Sequence, residues 1–152
     1  MEYVSLNNGV KMPKVGYGVF QVAGEECERC VLDALDVGYR AIDTAQSYGN
    51  EAAVGSALHK SGLARDEVFL TTKIWMSNAS YEKARASIDK SLRNLQTDYI
   101  DLMLIHQPFG GKRLTKQRTC QTRSPSERII PCNGRVILRA VSKIHGHSEK
   151  IH

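Results

Sequence analysis

Between residues 15 and 105, four short apolar segments alternate with three amphipathic ones, and this pattern limits the possible folds more than anything else in the chain. Residues 15–19, 39–43, 68–73 and 99–105 read as strands, the last containing the apolar run Leu102-Met103-Leu104-Ile105. The first intervening segment repeats Cys27, Cys30, Val31, Ala34 and Leu35 on one helical stripe, with Glu25, Glu26, Glu28, Arg29, Asp33 and Asp36 opposite and Gly38 as the stop. The second runs over about 50–61 with Val54, Ala57 and Leu58 inward, ending at Gly62. The third starts at the N-cap Ser80 and carries Ala84, Ile88, Ser91, Leu92 and Leu95 on one face. Ahead of them, residues 3–12 form two alternating runs about an Asn-Gly turn.

A hairpin followed by β-α-β-α-β-α-β with short connections predicts an α/β fold of parallel strands joined by right-handed helical crossovers. Two architectures fit: the N-terminal half of a (β/α)8 TIM barrel, or a small doubly wound sheet. Periodicity does not choose between them. A complete barrel usually takes about 250 residues, so 152 admit only part of one.

Charge divides the chain near Gly110-Gly111. Residues 1–110 hold eleven Lys/Arg against fourteen Asp/Glu, whereas residues 111–152 hold ten against Glu127 and Glu149, so the net +5 arises in the tail. Every Phe, Trp and Tyr precedes residue 111. A basic segment without aromatics and with few apolar residues has little with which to build a core. We therefore expect two regions: a folded unit at 1–110 and an irregular or disordered basic tail at 111–152, the latter read as out-of-frame translation behind a shortened gene.

No apolar leader or membrane-length run is present, and the expected compartment is the cytoplasm. Cys27-x-x-Cys30 lacks a second pair to complete a zinc site and lies on the apolar stripe, where free cysteine packs as a small hydrophobe. His145-x-His147 is a metal pair without partners, so no metal site is assigned; Asn78-Ala79-Ser80 is a glycosylation sequon by pattern alone. Arg123-Ser124-Pro125-Ser126 only weakly resembles an Arg/Ser segment.

The strand ends carry the chemistry. Asp43, Lys73 and His106 each close an otherwise apolar strand, and Tyr48 follows Asp43 by five residues. Parallel strands bring their carboxyl ends to one rim, where barrel enzymes assemble their sites. A phenol is a poor proton donor at neutral pH, and an ammonium beside it stabilises the phenolate. Lys73 against Tyr48 meets that need, with Asp43 keeping the lysine charged and oriented. A neutral His106 ring can hydrogen-bond a carbonyl oxygen. The four types together suit proton donation to a carbonyl becoming an alkoxide.

The segment Gly38-Tyr39-Arg40-Ala41-Ile42-Asp43-Thr44-Ala45-Gln46-Ser47-Tyr48-Gly49-Asn50-Glu51 closely resembles the first signature of the aldo-keto reductases. Leu6-Asn7-Asn8-Gly9-Val10-Lys11-Met12-Pro13, Gly16-Tyr17-Gly18-Val19-Phe20, Thr72-Lys73-Ile74-Trp75 and Asp101-Leu102-Met103-Leu104-Ile105-His106-Gln107-Pro108 resemble further family segments in order and spacing. The likeness is strongest to the bacterial branch that includes diketogluconate reductases, and it covers residues 3 to about 110. It implies a half barrel and NADP(H)-dependent reduction of aldehyde or ketone carbonyls to alcohols. It assigns the catalytic tetrad to Asp43, Tyr48, Lys73 and His106, with Tyr48 as general acid. Gly18, Val19, Phe20 and Asp43 would lie against the cofactor, and Phe20, Tyr48, Trp75 and His106 would wall the pocket of a small carbonyl substrate.

The family's later strands, and the basic segment that grips the adenosine phosphate, have no counterpart after Gly110. The resemblance therefore implies an impaired reductase that lacks most of its cofactor-binding segment. Exposed sheet edges would favour self-association. The alternative reading is a non-catalytic half-barrel scaffold whose basic tail binds acidic partners or nucleic acid, though the tail has no stacking aromatics and nucleic acid is not the expected partner.

Overall fold

The N-terminal hairpin takes its shape from its turn. In the computed structural model, which describes residues 1–78, 80–107, 130–132 and 135–141, β1 (Tyr3–Ser5) pairs antiparallel with β2 (Lys11–Pro13). Leu6 N donates to Val10 O and Gly9 N to Leu6 O, at 2.8 and 2.9 Å. The connection is thus a three-residue loop, Asn7-Asn8-Gly9, rather than the two-residue turn that the Asn-Gly pair suggests. Gly9 closes it at φ 82°, where a Cβ would be strained.

The elements that follow are β3 (Tyr17–Gly18), α1 (Gly24–Asp36), β4 (Ala41–Asp43), α2 (Glu51–Lys60), β5 (Phe69–Ile74), α3 (Tyr81–Asn94) and β6 (Tyr99–Ile105). Strands β3 to β6 pair in chain order and all in parallel, with Gly18 beside Asp43, Asp43 beside Thr71 and Lys73 beside Leu104. This order selects between the two architectures. A doubly wound sheet needs a point where strand order reverses so that helices cover both faces. From β3 to β6 the order never reverses, and the three helices among the described residues pack on one face, as in one side of a (β/α)8 barrel.

That face holds the main core. Ile42, Leu70, Ile74, Ile100 and Met103 from the strands meet Val31, Leu35, Val54, Ala57 and Leu95 from the helical layer, all buried. On α1 the buried stripe is Cys27, Val31, Ala34 and Leu35. Cys27 and Cys30 are free, and burial pushes the Cys27 thiol up to about 11. The helix stops at Gly38 (φ 101°), whose N–H donates to Leu35 O while Tyr39 N donates to Ala34 O. Pleating sends alternate residues to the opposite face. There Ala41, Phe69 and Leu102 form a second cluster with Leu6, Val10 and Met12, so the hairpin plugs the amino-terminal end of the barrel face.

Arg65 fastens the same end. Its guanidinium lies 4.1 Å above the Tyr99 ring and donates to Asp101 Oδ2 at 2.8 Å, and that oxygen also accepts from Leu70 N at 2.9 Å. These bonds set the stagger of β5 against β6, and with it the heights of Lys73 and His106 at the far ends.

Ten residues of the tail are described: β7 (Ile130–Cys132) and β8 (Arg135–Val141) pair antiparallel, and β8 pairs antiparallel with β6. The edge expected to be exposed beyond β6 is therefore taken up by β8, and the sheet ends at β3 and β7. The remainder of the segment expected to be irregular, including Arg123–Ser126 and His145–His147, lies outside the described residues, as does Ala79 of the sequon. Among the described residues, no helix is long and apolar enough to cross a membrane.

Candidate active site

Strand β4 delivers Asp43 to the rim, and the chain then turns through one 3₁₀ turn, Gln46–Tyr48, into α2. Strand β5 delivers Lys73 to the same face. Its ammonium donates to three oxygens: Asp43 Oδ2 at 2.6 Å, Thr44 O at 2.9 Å and Tyr48 OH at 3.3 Å. An ammonium has three protons and no lone pair, so all three are committed. The Tyr48 hydroxyl can only accept from Lys73, which leaves its own proton directed elsewhere. Lys73 is well covered, with 13% of its side chain exposed, whereas 43% of the Asp43 side chain faces solvent.

His106 stands across from this trio. Its backbone N–H donates to Ile74 O at 2.8 Å, which carries the β5–β6 pairing one step past the strand. The imidazole lies edge-on to Tyr48 and to Trp75, with ring centroids 5.6 and 5.4 Å away and both interplanar angles at 80°. Phe20, 63% exposed, tilts over Tyr48 at 5.0 Å. Phe20, Tyr48, Trp75 and His106 thus form one aromatic wall. Burial, followed by repulsion from Lys73, lowers the His106 pKa, and Asp43 opposes the shift.

This yields a titration prediction. The His106 midpoint, followed by NMR, should fall below the ordinary imidazole value of about 6.5, and Lys73→Met should raise it by removing the repulsion. The unfolded chain then binds this proton more readily than the folded one. The ring's contribution to stability is therefore present above about pH 6.5 and is lost as pH falls from there through the folded midpoint. A parent midpoint above 6.5, or no rise in the variant, would contradict the geometry.

The remaining expected residues divide by burial. Val19 is fully buried in the main core, its N–H bonded to Asp43 O and its carbonyl to Asn50. Its side chain faces away from the rim. Gly18 pairs beside Asp43, and a Cβ there would meet nothing within 4 Å, so the rim is open above it. A cavity of about 390 Å³, lined in part by Tyr3, Lys11, Arg40 and Phe69, opens at the amino-terminal ends of the strands and includes none of the tetrad.

Sequence reasoning gave no role to the polar residues that hold the turn. Buried Asn50 donates through Nδ2 to Val19 O and Val22 O at 2.9 and 3.1 Å and accepts from Thr44 Oγ1 at 2.8 Å. Glu51, also buried, accepts from Thr72 Oγ1 at 2.8 Å and Asn94 Nδ2 at 3.2 Å. Gln46 accepts from Trp75 N at 3.1 Å and donates to Ser87 O and Ser91 Oγ. One signal was available: Glu51 lies three residues before inward-facing Val54, on the buried face of its helix. Asn50→Ala would strand two carbonyls and a hydroxyl, and should cost about 1–2 kcal/mol in urea unfolding. An unchanged midpoint would show that water replaces the amide without loss.

Three comparisons bear on this group. The model of the Aldo/keto reductase family matches residues 14–127, passing the Gly110-Gly111 junction into residues outside those described. Among curated proteins, morphine 6-dehydrogenase of Pseudomonas putida is 49% identical over 114 residues, which is 75% of this chain and 38% of that protein. Glyoxal reductase of Bacillus subtilis (strain 168) is 50% identical over 110 residues, covering 72% of this chain and 40% of that one. Among solved structures, an aldo/keto reductase from Brucella melitensis superposes with a TM-score of 0.72 at 49% identity, covering 75% of this chain and 44% of that one. The chain spans about two-fifths of the length of the curated relatives it matches.

Proposed function

The chain belongs to the aldo/keto reductase family, and from that membership we propose that Asp43, Tyr48, Lys73 and His106 reduce the carbonyl of a small aldehyde, ketone or sugar-derived compound to an alcohol, with NADP(H) as hydride carrier. The observation that carries this reading is the committed Lys73 ammonium, bonded to Asp43, Thr44 O and Tyr48 OH at once. Tyr48 gives its free proton to the substrate oxygen as negative charge develops there, and Lys73 stabilises the phenolate left behind. Asp43 balances the lysine charge. His106, neutral at pH 7, holds the carbonyl oxygen toward Tyr48, while Phe20 and Trp75 flank it with apolar surface.

A bound nicotinamide dinucleotide supplies the hydride. The open backbone at Gly18, the exposed Phe20 ring and the accessible Asp43 carboxylate fit its reactive end; Val19 contributes by spacing Gly18 from Phe20. Because the chain spans two-fifths of its relatives, these 152 residues taken alone are expected to hold the dinucleotide weakly and turn over slowly. The free thiols of Cys27 and Cys30 suit a reducing compartment, and we place the protein in the cytoplasm on that ground. The sheet ends at β3 and β7 offer edges for self-association.

The test mixes the chain with NADPH and glyoxal, the compound named for the Bacillus subtilis relative, and follows NADPH absorbance. Expected is slow turnover that NADH supports less well. A folded chain that neither binds NADPH nor turns over glyoxal or other small carbonyls, yet binds nucleic acid in a salt-sensitive way, would overturn the reading in favour of a scaffold with a basic binding tail.

A further inference from the structure

A neutral imidazole carries one proton on two nitrogens, and in this fold only one placement is useful to a substrate oxygen. His106 Nδ1 lies 3.0 Å from Ser47 Oγ, a residue 59 positions earlier in the chain. We propose that Ser47 sets the tautomer of His106: its hydroxyl donates to Nδ1, so the ring proton stays on Nε2 and faces the carbonyl to be reduced. The purpose of this bond rests on the reductase reading above, but its direction can be measured without any turnover.

Both ends of the bond are held by the fold. Ser47 sits between two fixed residues. Gln46 is bonded to Trp75 N, Ser87 O and Ser91 Oγ, and Tyr48 is bonded through its hydroxyl to Lys73. His106 is fixed at its backbone by Ile74 O and at its ring by the edges of Tyr48 and Trp75. Tilting the ring out of this plane would give up the Tyr48 and Trp75 contacts, and flipping it within the plane would put a carbon where Nδ1 stands and lose the Ser47 bond.

The direction of the bond follows from the charges around the ring. The titratable groups facing it are Lys73 on β5, Asp43 on β4 and Tyr48 on the 3₁₀ turn. Lys73 disfavours an imidazolium, and the Asp43 carboxylate that would favour one is already bound to Lys73 at 2.6 Å. The ring is thus neutral at pH 7, and one of its nitrogens is a bare acceptor. A hydroxyl can donate or accept with equal ease. Among the described residues no carboxylate or carbonyl is bonded at Nδ1 to draw the proton there, so the bare lone pair is placed at Nδ1 and the serine proton fills it. The partner of one ring nitrogen decides what the other can do. Ser47 is accordingly a positioning residue that acts through His106 and touches no reacting atom itself.

The test is ¹⁵N NMR of the imidazole nitrogens in the uniformly labelled chain, across pH, for the parent and two variants. Ser47 is exposed, so both variants should fold. In the parent, the His106 Nε2 shift should be that of a protonated nitrogen and Nδ1 that of a bare acceptor. Ser47→Ala removes the donor, and both shifts should move toward the average of a mixed tautomer. Ser47→Asp offers only an acceptor, so it should pull the proton to Nδ1 and raise the titration midpoint. In any preparation that turns over substrate, Ser47→Ala should lower kcat/KM roughly three- to tenfold, the scale of one neutral hydrogen bond, and Ser47→Thr should restore it. A parent ring protonated at Nδ1, or Ser47→Ala shifts identical to the parent's, would overturn the proposal. An inactive chain with the Nε2–H ring would count against the reductase reading and still support the tautomer assignment.

Discussion

Replacing Tyr48 by phenylalanine is expected to lower kcat for carbonyl reduction by about 10²–10⁴-fold, the range for loss of a positioned general acid. The substitution removes one oxygen and little else. Lys73 keeps Asp43 Oδ2 and Thr44 O, and the ring keeps its place against Phe20 and His106. Thermal unfolding should therefore stay close to that of the parent. Substrate KM should change less than kcat, because the role proposed for the hydroxyl is played as charge develops on the substrate oxygen. The measurement is NADPH-dependent glyoxal turnover in both proteins, with circular dichroism as the folding control. Turnover by the variant within a factor of a few of the parent would remove Tyr48 from the role of acid. Lys73→Met provides the companion result: the hydroxyl remains, but nothing stabilises its anion, and kcat should fall while the phenol stays in place.

The largest effect on stability is expected from Gly55→Ala, a change that helix propensity alone would favour by about 1 kcal/mol. Gly55 lies on α2, and a Cβ at this position would stand 2.6 Å from Asn94 O and Leu95 C and 2.8 Å from Leu95 Cα. Those atoms are backbone, at the end of α3, and no side-chain rotation relieves the clash. The helices must separate, and overpacking of this kind costs about 1–3 kcal/mol, sometimes more. With backbone atoms this close the cost should lie at the upper end of that range, so after the propensity gain we expect a net loss of about 2 kcal/mol, seen as a fall in Tm of roughly 4–8 °C. Because α2 begins at Glu51, directly after Asn50, the shift should also loosen the turn that carries Ser47 and Tyr48, and turnover should fall with stability. A Tm at or above the parent's would show that the two helices do not approach this closely.

Much of the site is legible in the amino-acid order alone. Asp43, Lys73 and His106 stand out because each interrupts an apolar strand at its end, and parallel packing brings such ends together. Tyr48 is recognisable from its distance to Asp43 and from the resemblance of the surrounding segment. Val19 shows the limit of that approach. Its neighbours Gly18 and Phe20 face the rim, but pleating turns Val19 into the core, and no motif records which way a side chain points. The supporting polar residues are harder still to read. Asn50, Glu51, Gln46 and Ser47 lie inside the quoted signature, yet their partners include Val19, Thr72, Trp75, Asn94 and His106, as much as 59 residues away.

By itself, the sequence determined the elements of residues 1–105, though not β7 and β8, because helix and strand periods, N-caps and stop glycines are local properties of the chain. It also determined which residue types reach the rim, since strand ends are read directly from where apolar runs stop. Only the tertiary structure decided that β3 to β6 run in unbroken order with the three described helices on one face, which excludes the doubly wound sheet. It alone decided that the three protons of Lys73 are all committed, that Gly55 has no room for a methyl group, and that His106 meets Ser47. Each of these is a distance between residues far apart in the chain. Such distances follow from the packing of whole layers, and no window of sequence contains them.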